Sequence, residues 1–395
     1  MTEPTPGVPF APGWTRARRG VRGSALLGLL TNGVERNQMD DVAPSRTSPR
    51  ADATRSEIRR RFADAFRIRP WIYWLDLLGS ACLGWTLFAV SVATPPGSLI
   101  HGLSTLGAVF ALLRAALFIH ELAHLRPGEL RGFEQVWNVV VGIPVAVPSL
   151  MYVGSHADHH KRTGFGTDAD PEYAPIAHWS RLRIAVFVLT VAFVPVLLVL
   201  RWGVLGPLSR GIPPLRRFVV ARFSTLIINV HYERPEPRGR AATRWAWEEA
   251  GAAICVWLVA GGVLAGWIPT AVVVQWFLVA AGILTVNQVR TLAAHGYENA
   301  GEPVDSEGQL LDSINLTGWT PLTALFAPVG LRYHALHHYL PSLPYHSLGR
   351  VHRRLLAELP ADAPYRQTVR EGFLAPLQKL WRSASPSVRG PLTNL

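Results

Sequence analysis

With 395 residues, 49% of them hydrophobic and only 17% charged, the chain has a composition that points away from a set of soluble domains and toward a polytopic membrane protein. The net charge of +12 arises from 39 basic residues, of which only Lys161 and Lys379 are lysines. The arginines fall between apolar blocks, as in loops that face anionic lipid on the cytoplasmic side, and this placement argues against a nucleic-acid partner.

Residues 1–57 are rich in Pro, Gly, Ser, Thr and Arg without sustained periodicity, and read as a disordered basic N-terminal tail. The run Ala25 to Leu30 is too short for a secretory h-region and no cleavage pattern follows it, so the first true span is expected to drive insertion. From Glu57 to Arg69 the chain turns basic directly before Pro70, Trp71, Tyr73 and Trp74, an aromatic belt at the cytoplasmic end of a span.

Apolar blocks follow at 70–93, 99–119, 135–153, 183–206, 250–268 and 270–289, several of them reaching the roughly 20 residues that cross hydrocarbon. The first pair is joined by Ala93 to Ser98 and the last pair at Ile268-Pro269, and neither link carries a charge. Segment 201–244 holds nine arginines against Glu233 and Glu236, which assigns it to the cytoplasm. Parity then makes 135–153 and 183–206 re-entrant or interfacial, with Gly142, Pro144, Pro148 and Pro195 as breakers, two further crossings being the alternative. Cys82 and Cys255 lie in apolar stretches and imply neither a disulfide nor a thiolate site. The body is expected over 58–366, followed by a C-terminal surface helix and tail over 367–395.

Nine of the fourteen histidines fall into four groups. His120 and His124 stand in His-Glu-Leu-Ala-His; His156, His159 and His160 in His-Ala-Asp-His-His; His295 alone; and His334, His337 and His338 in His-Ala-Leu-His-His. On a helix these spacings point two or three imidazoles from one face toward a common point, and neutral imidazole suits iron, zinc, copper or nickel. His101, His178, His231, His346 and His352 stand outside the spacing and read as structural, His346 being the nearest to a group. The first group also reads as His-Glu-x-x-His, so a membrane zinc protease with Glu121 as base is the rival from another class. Under the metal-cluster reading Glu121 is expected to hydrogen-bond a ligating imidazole.

The three multi-histidine groups, in this order and separated by apolar hairpins, resemble the histidine boxes of the integral-membrane fatty acid desaturase and hydroxylase superfamily over about 70–355. Phe165-Gly166-Thr167, Asp170-Pro171-Glu172-Tyr173, Asn287 through His295, and Leu331-Arg332-Tyr333-His334 are similar to its bacterial desaturase-like branch. The resemblance implies an all-α membrane fold with about four transmembrane helices, re-entrant or interfacial helices and a cytosolic histidine-rich cap. It implies two non-haem iron ions held by His120, His124, His156, His159, His160, His295, His334, His337 and His338, with dioxygen as co-substrate. A bacterial inner-membrane location with the site on the cytoplasmic face follows from it. So does an external electron donor of ferredoxin, rubredoxin or cytochrome type, since no such motif occurs in this chain. The expected product is a double bond in a fatty-acyl or lipid-like chain, with hydroxylation or ketolation in the same superfamily as the alternative. Where acyl-CoA desaturases carry an asparagine four residues before the lone histidine, this chain has Thr291, and Asn287 lies eight before it.

Overall fold

The structure, a computed structural model, describes residues 49–384 apart from Arg162 and Trp319. The first 48 residues of the expected tail and residues 385–395 lie outside the described residues. A helix Pro49–Arg61 already begins within the stretch read as tail.

Among the described residues, five helices are long and apolar enough to cross a membrane: Pro70–Ala93, Leu99–His124, Arg181–Gly211, Gly239–Leu264 and Thr270–Leu292. Four coincide with the two expected hairpins, and the chain is a helical, polytopic membrane protein. Pro70 opens the first span at a position where its missing N–H costs nothing, and Ser98 caps the second by accepting from the His101 amide. Small residues let the spans approach: a Cβ on Gly84 would sit 2.6 Å from Leu112 Cγ, and one on Gly282 2.7 Å from a Val109 methyl. Polar contacts join them as well. Gln275 Nε2 donates to Ser91 Oγ at 2.9 Å and Thr105 Oγ1 at 2.8 Å, and Arg114 donates from Nε and Nη2 to the Asp76 carboxylate at 2.6 and 2.5 Å.

Segment 133–151 folds back on itself, as expected of a re-entrant element. Asn138 ties its two legs together, donating to Ser149 Oγ at 3.0 Å and accepting from the Ser149 amide at 2.8 Å. Its turn places Ala146 at φ +62° and frees backbone carbonyls that hydrocarbon cannot hydrate. Indole N–H groups supply the partners, each at 2.8 Å: Trp85 to Val140 O, Trp276 to Pro144 O and Trp202 to Ala146 O.

Block 183–206 differs from a dipping loop. It belongs to a nearly continuous run of 31 helical residues, Arg181–Gly211, in which a 3-10 turn and a π turn at Arg201–Leu205 absorb Pro195 and Gly203. Its length would allow a crossing, but its flanks do not. Ala177 N donates to Tyr297 O at its start, while beyond its end Leu226 N donates to Met151 O and Ile228 N to Pro171 O. Between lies only the helix Pro213–Phe223, about 16 Å of rise, too short to return across about 30 Å of hydrocarbon. Both ends of the helix therefore lie on the same side, while its middle packs on the span Gly239–Leu264: Trp257 donates to Gly203 O at 3.1 Å, and Arg201 and Arg216 pair with Glu249 at 2.6 and 2.8 Å.

Below the spans, short helices form a layer closed by a two-stranded parallel pairing of Asn315–Thr317 with Val369–Glu371. That pairing stitches the segment read as a C-terminal addition onto the body, and the helix Leu374–Ser383 follows it.

Candidate metal centre

Each of the three multi-histidine groups is carried by a short helical turn in this layer. His120 and His124 end the second span, on the turn Phe118–His124. His156 and His159 lie on Ser155–His159 with His160 capping it; His334, His337 and His338 lie on His334–Tyr339; and His295 follows the fourth span. All nine converge. They form two sets rather than one point per group: His120, His124, His156 and His337, and His159, His295, His334 and His338, with the ligand atoms of each set within 4.8 Å of one another.

The division follows from helix geometry. Positions i+3 and i+4 diverge by about 100° around the axis, so one turn feeds two neighbouring points. His334 and His338 enter the second set and His337 the first; His156 enters the first and His159 the second. His160 completes the first set, its Nε2 lying 3.0 Å from His156 Nε2 and 3.1 Å from His337 Nε2, while its ring stacks on His338 at 4.3 Å.

The far nitrogens are held by acids that the sequence reading left without a role. His156 Nδ1 lies 2.6 Å from Glu172 Oε1, His159 Nδ1 2.8 Å from Asp170 Oδ1, and His295 Nδ1 3.0 Å from Asp312 Oδ2. Tyr152 donates to Glu172 at 2.9 Å and Tyr173 to Asp312 at 3.0 Å, so the carboxylates are themselves oriented. An Nδ1–H donated to a carboxylate leaves the Nε2 lone pair facing the cluster. Asp170 and Glu172 stood in a run noted for its resemblance, but nothing in the sequence singled out Asp312.

Burial and neighbouring imidazoles hold His156, His160, His334, His337 and His338 well below the usual histidine range, which keeps them neutral. Burial lowers His295 as well, against the pull of Asp312. Burial also opposes charge on His159, but Asp170 outweighs it and raises that ring to about 8.

These residues fit a pair of metal ions. His120 Nδ1 and Nε2, His124 Nε2 and His334 Nδ1 are buried with no hydrogen-bond partner among the described residues. Nε2 of His334 lies 2.9 Å from that of His295 and 3.1 Å from that of His338, so the second set turns its ring nitrogens on one point, where a cation would take their lone pairs. An all-imidazole donor set without thiolate suits a borderline first-row metal.

One expectation needs correction. Glu121 does not hydrogen-bond a ligating imidazole: its carboxylate accepts from the Tyr73 hydroxyl and, at 3.3 Å, from the Tyr345 amide, and its nearest approach to His120 Nδ1 is 4.0 Å. Adjacent helix positions face different directions, which is why sequence adjacency misled. Asn287 accepts from Arg290 Nε at 2.9 Å and lines an apolar cavity of about 50 Å³ between the second and fourth spans. Thr291 turns its hydroxyl to the Asn287 carbonyl. His346 accepts from the Arg69 amide, and His352 meets the Tyr365 hydroxyl at 2.7 Å; neither joins the sets.

The sequence profile described as fatty acid desaturase matches residues 96–369. A protein of Caulobacter vibrioides (strain NA1000 / CB15N) named ceramide hydroxylase is 41% identical over 312 residues, covering 79% of this chain and 88% of that protein. No solved structure matches.

Proposed function

The chain belongs to the fatty acid desaturase family, and from that membership we propose that it holds two non-haem irons in the paired histidine sets and uses dioxygen to hydroxylate a methylene of a ceramide-like membrane lipid. The observation that carries the metal reading is the convergence of His120, His124, His156, His160 and His337 beside His159, His295, His334 and His338. Hydroxylation takes its support from the 41% identical relative's name. Desaturation, the expectation from the sequence, is the second reading and takes its support from the family match. A zinc protease would need Glu121 free to act on a metal-bound water, and that carboxylate is engaged by Tyr73 and Tyr345.

Bound iron would supply activation of dioxygen and the oxidising power to take hydrogen from an unactivated C–H bond. The chain's own residues do the rest. Asp170, Glu172 and Asp312 fix the ring orientations, and burial holds His156, His160, His334, His337 and His338 unprotonated. The small apolar cavity bounded by Leu113, Leu117, Trp137 and Ile283 lies on the spans that lead to His120 and His295, so the approach to the site from inside the membrane is apolar. The layer carrying the site lies on the arginine-rich side, which supports a cytoplasmic active face in a bacterial inner membrane.

Expression in a host of simple lipid composition, followed by lipid mass spectrometry, tests this. Gain of one oxygen atom, absent with His337→Ala, is the expected result. Loss of two hydrogens transfers the assignment to desaturation.

A further inference from the structure

Hydroxylation balances as R–H + O₂ + 2 e⁻ + 2 H⁺ → R–OH + H₂O, so each turnover needs two electrons from outside the chain. Of the nine clustered histidines only His124 and His160 are not fully buried, and His124 lines a depression of about 200 Å³. Three segments build its walls: Arg59 to Ile68, Glu121 to Glu129, and Pro341 to Pro344. They are tied together where Arg59 donates to Ser342 Oγ at 3.0 Å and the Arg69 amide to His346 Nε2 at 3.3 Å. Arg61 pairs with Glu358 at 3.1 Å, which brings the helix Tyr345–Glu358 to the same rim.

The rim is strongly basic. Ten exposed arginines, within 59–69, 126–131 and 350–354, stand against exposed Glu57, Asp64, Glu129 and Glu358. A second depression, of about 260 Å³, reaches His295 and Asp312, but its charges are mixed, with Arg370 and Lys379 standing among acids. There Lys379 is paired with Glu298 at 2.7 Å, and Glu302, Asp305 and Glu307 are exposed nearby. The two openings therefore differ in the charge of partner they attract.

We propose that a small acidic one-electron carrier protein docks on the arginine rim above His124 and delivers its electrons to the first histidine set through that ligand. The proposal rests on the metal reading above. An encounter of this kind needs only a small polar interface, and charge complementarity sets its rate. Steering by such a field accelerates association about 10- to 1,000-fold and fades with ionic strength. Anionic lipid is the other occupant that the same arginines would attract, so the test is made without it.

The iron-loaded full chain in phosphatidylcholine nanodiscs is mixed with reduced plant-type [2Fe–2S] ferredoxin as the acidic probe, and ferredoxin reoxidation is followed by stopped flow. In the parent, the rate should fall steeply with added salt. Arg59→Glu/Arg126→Glu, and separately Arg350→Glu/Arg353→Glu, should slow it about 10-fold or more at low ionic strength, the difference closing near about 0.5 M salt. Arg370→Glu/Lys379→Glu at the other opening should stay within about 2-fold of the parent. Iron content, and reduction by photoreduced deazaflavin, a small neutral donor, report the metal centre separately. A parent without iron overturns the metal reading and the docking site together. Iron at parental level with an unchanged ferredoxin rate in both rim variants overturns the docking site alone and leaves the rim as lipid-facing surface. A flat salt profile in the parent, or equal slowing in the variant of the other opening, overturns it as well.

Discussion

His295 is the residue on which the two-set geometry can be tested most sharply, because it reaches the second set from an element of its own. Its Nδ1 is fixed by Asp312, and its Nε2 lies 2.9 Å from that of His334. His295→Ala should lower iron from about two to about one per chain and abolish turnover, while the first set, which it does not enter, keeps its ion. His352→Gln should retain both ions, since that ring serves the Tyr365 hydroxyl. Elemental analysis at matched protein levels decides, and equal loss of both ions in His295→Ala would show that the two sets are one cooperative site. Asp312→Asn should weaken the second ion about 10- to 100-fold without removing a ligand. The nine histidines were legible because their spacing is local and repeated. The supporting acids were not, since Asp170, Glu172 and Asp312 lie 11, 16 and 17 positions from their partners, with no pattern linking them.

Among the elements, the re-entrant segment 133–151 depends on tryptophan N–H groups in a way hydropathy hides, because an indole counts as apolar there. Trp202→Phe keeps most of the ring and leaves the Ala146 carbonyl without its donor, in a fold-back already strained by a positive φ. Loss of a buried hydrogen bond that strands its acceptor costs about 1–3 kcal/mol. A clear drop in thermal midpoint in detergent is expected, whereas Trp71→Phe, exposed at the end of the first span, should change little. Equal behaviour of the two would mean that another donor or water takes over at Ala146. The two hairpins and the fold-back were legible from uncharged links and from Pro144 and Pro148. The block 183–206 was legible as one that does not cross alone, but its near-continuous helix Arg181–Gly211 was not, because Pro195 reads as a breaker although it stands in the first turn of a helical piece, where proline is tolerated.

At the scale of the whole molecule, the number of crossings decides whether one face can hold every ligand. His120 and His124 end the second span and His295 follows the fourth, so both hairpins must return to the same side for the sets to assemble. A fifth crossing by Arg181–Gly211 would carry residues 212–238 to the opposite side. Yet Tyr232 donates to Asp158 Oδ2 at 2.6 Å, two residues from His156 and one from His159. Asn229 Nδ2 likewise donates to the carbonyl of Asp170, the acid behind His159, at 3.0 Å. These bonds cannot form across about 30 Å of hydrocarbon, so both ends of the helix lie on the histidine side despite its length. The exposed Leu182, Leu189, Phe193, Leu197 and Leu200 then meet acyl chains. Single cysteines placed in a chain lacking Cys82 and Cys255 test this with a membrane-impermeant maleimide. Pro96→Cys and Ala265→Cys, in the two short links, should label from one side of the membrane only, and His231→Cys only from the other. Labelling of His231→Cys together with Pro96→Cys would make Arg181–Gly211 a crossing and separate Tyr232 and Asn229 from the histidine layer.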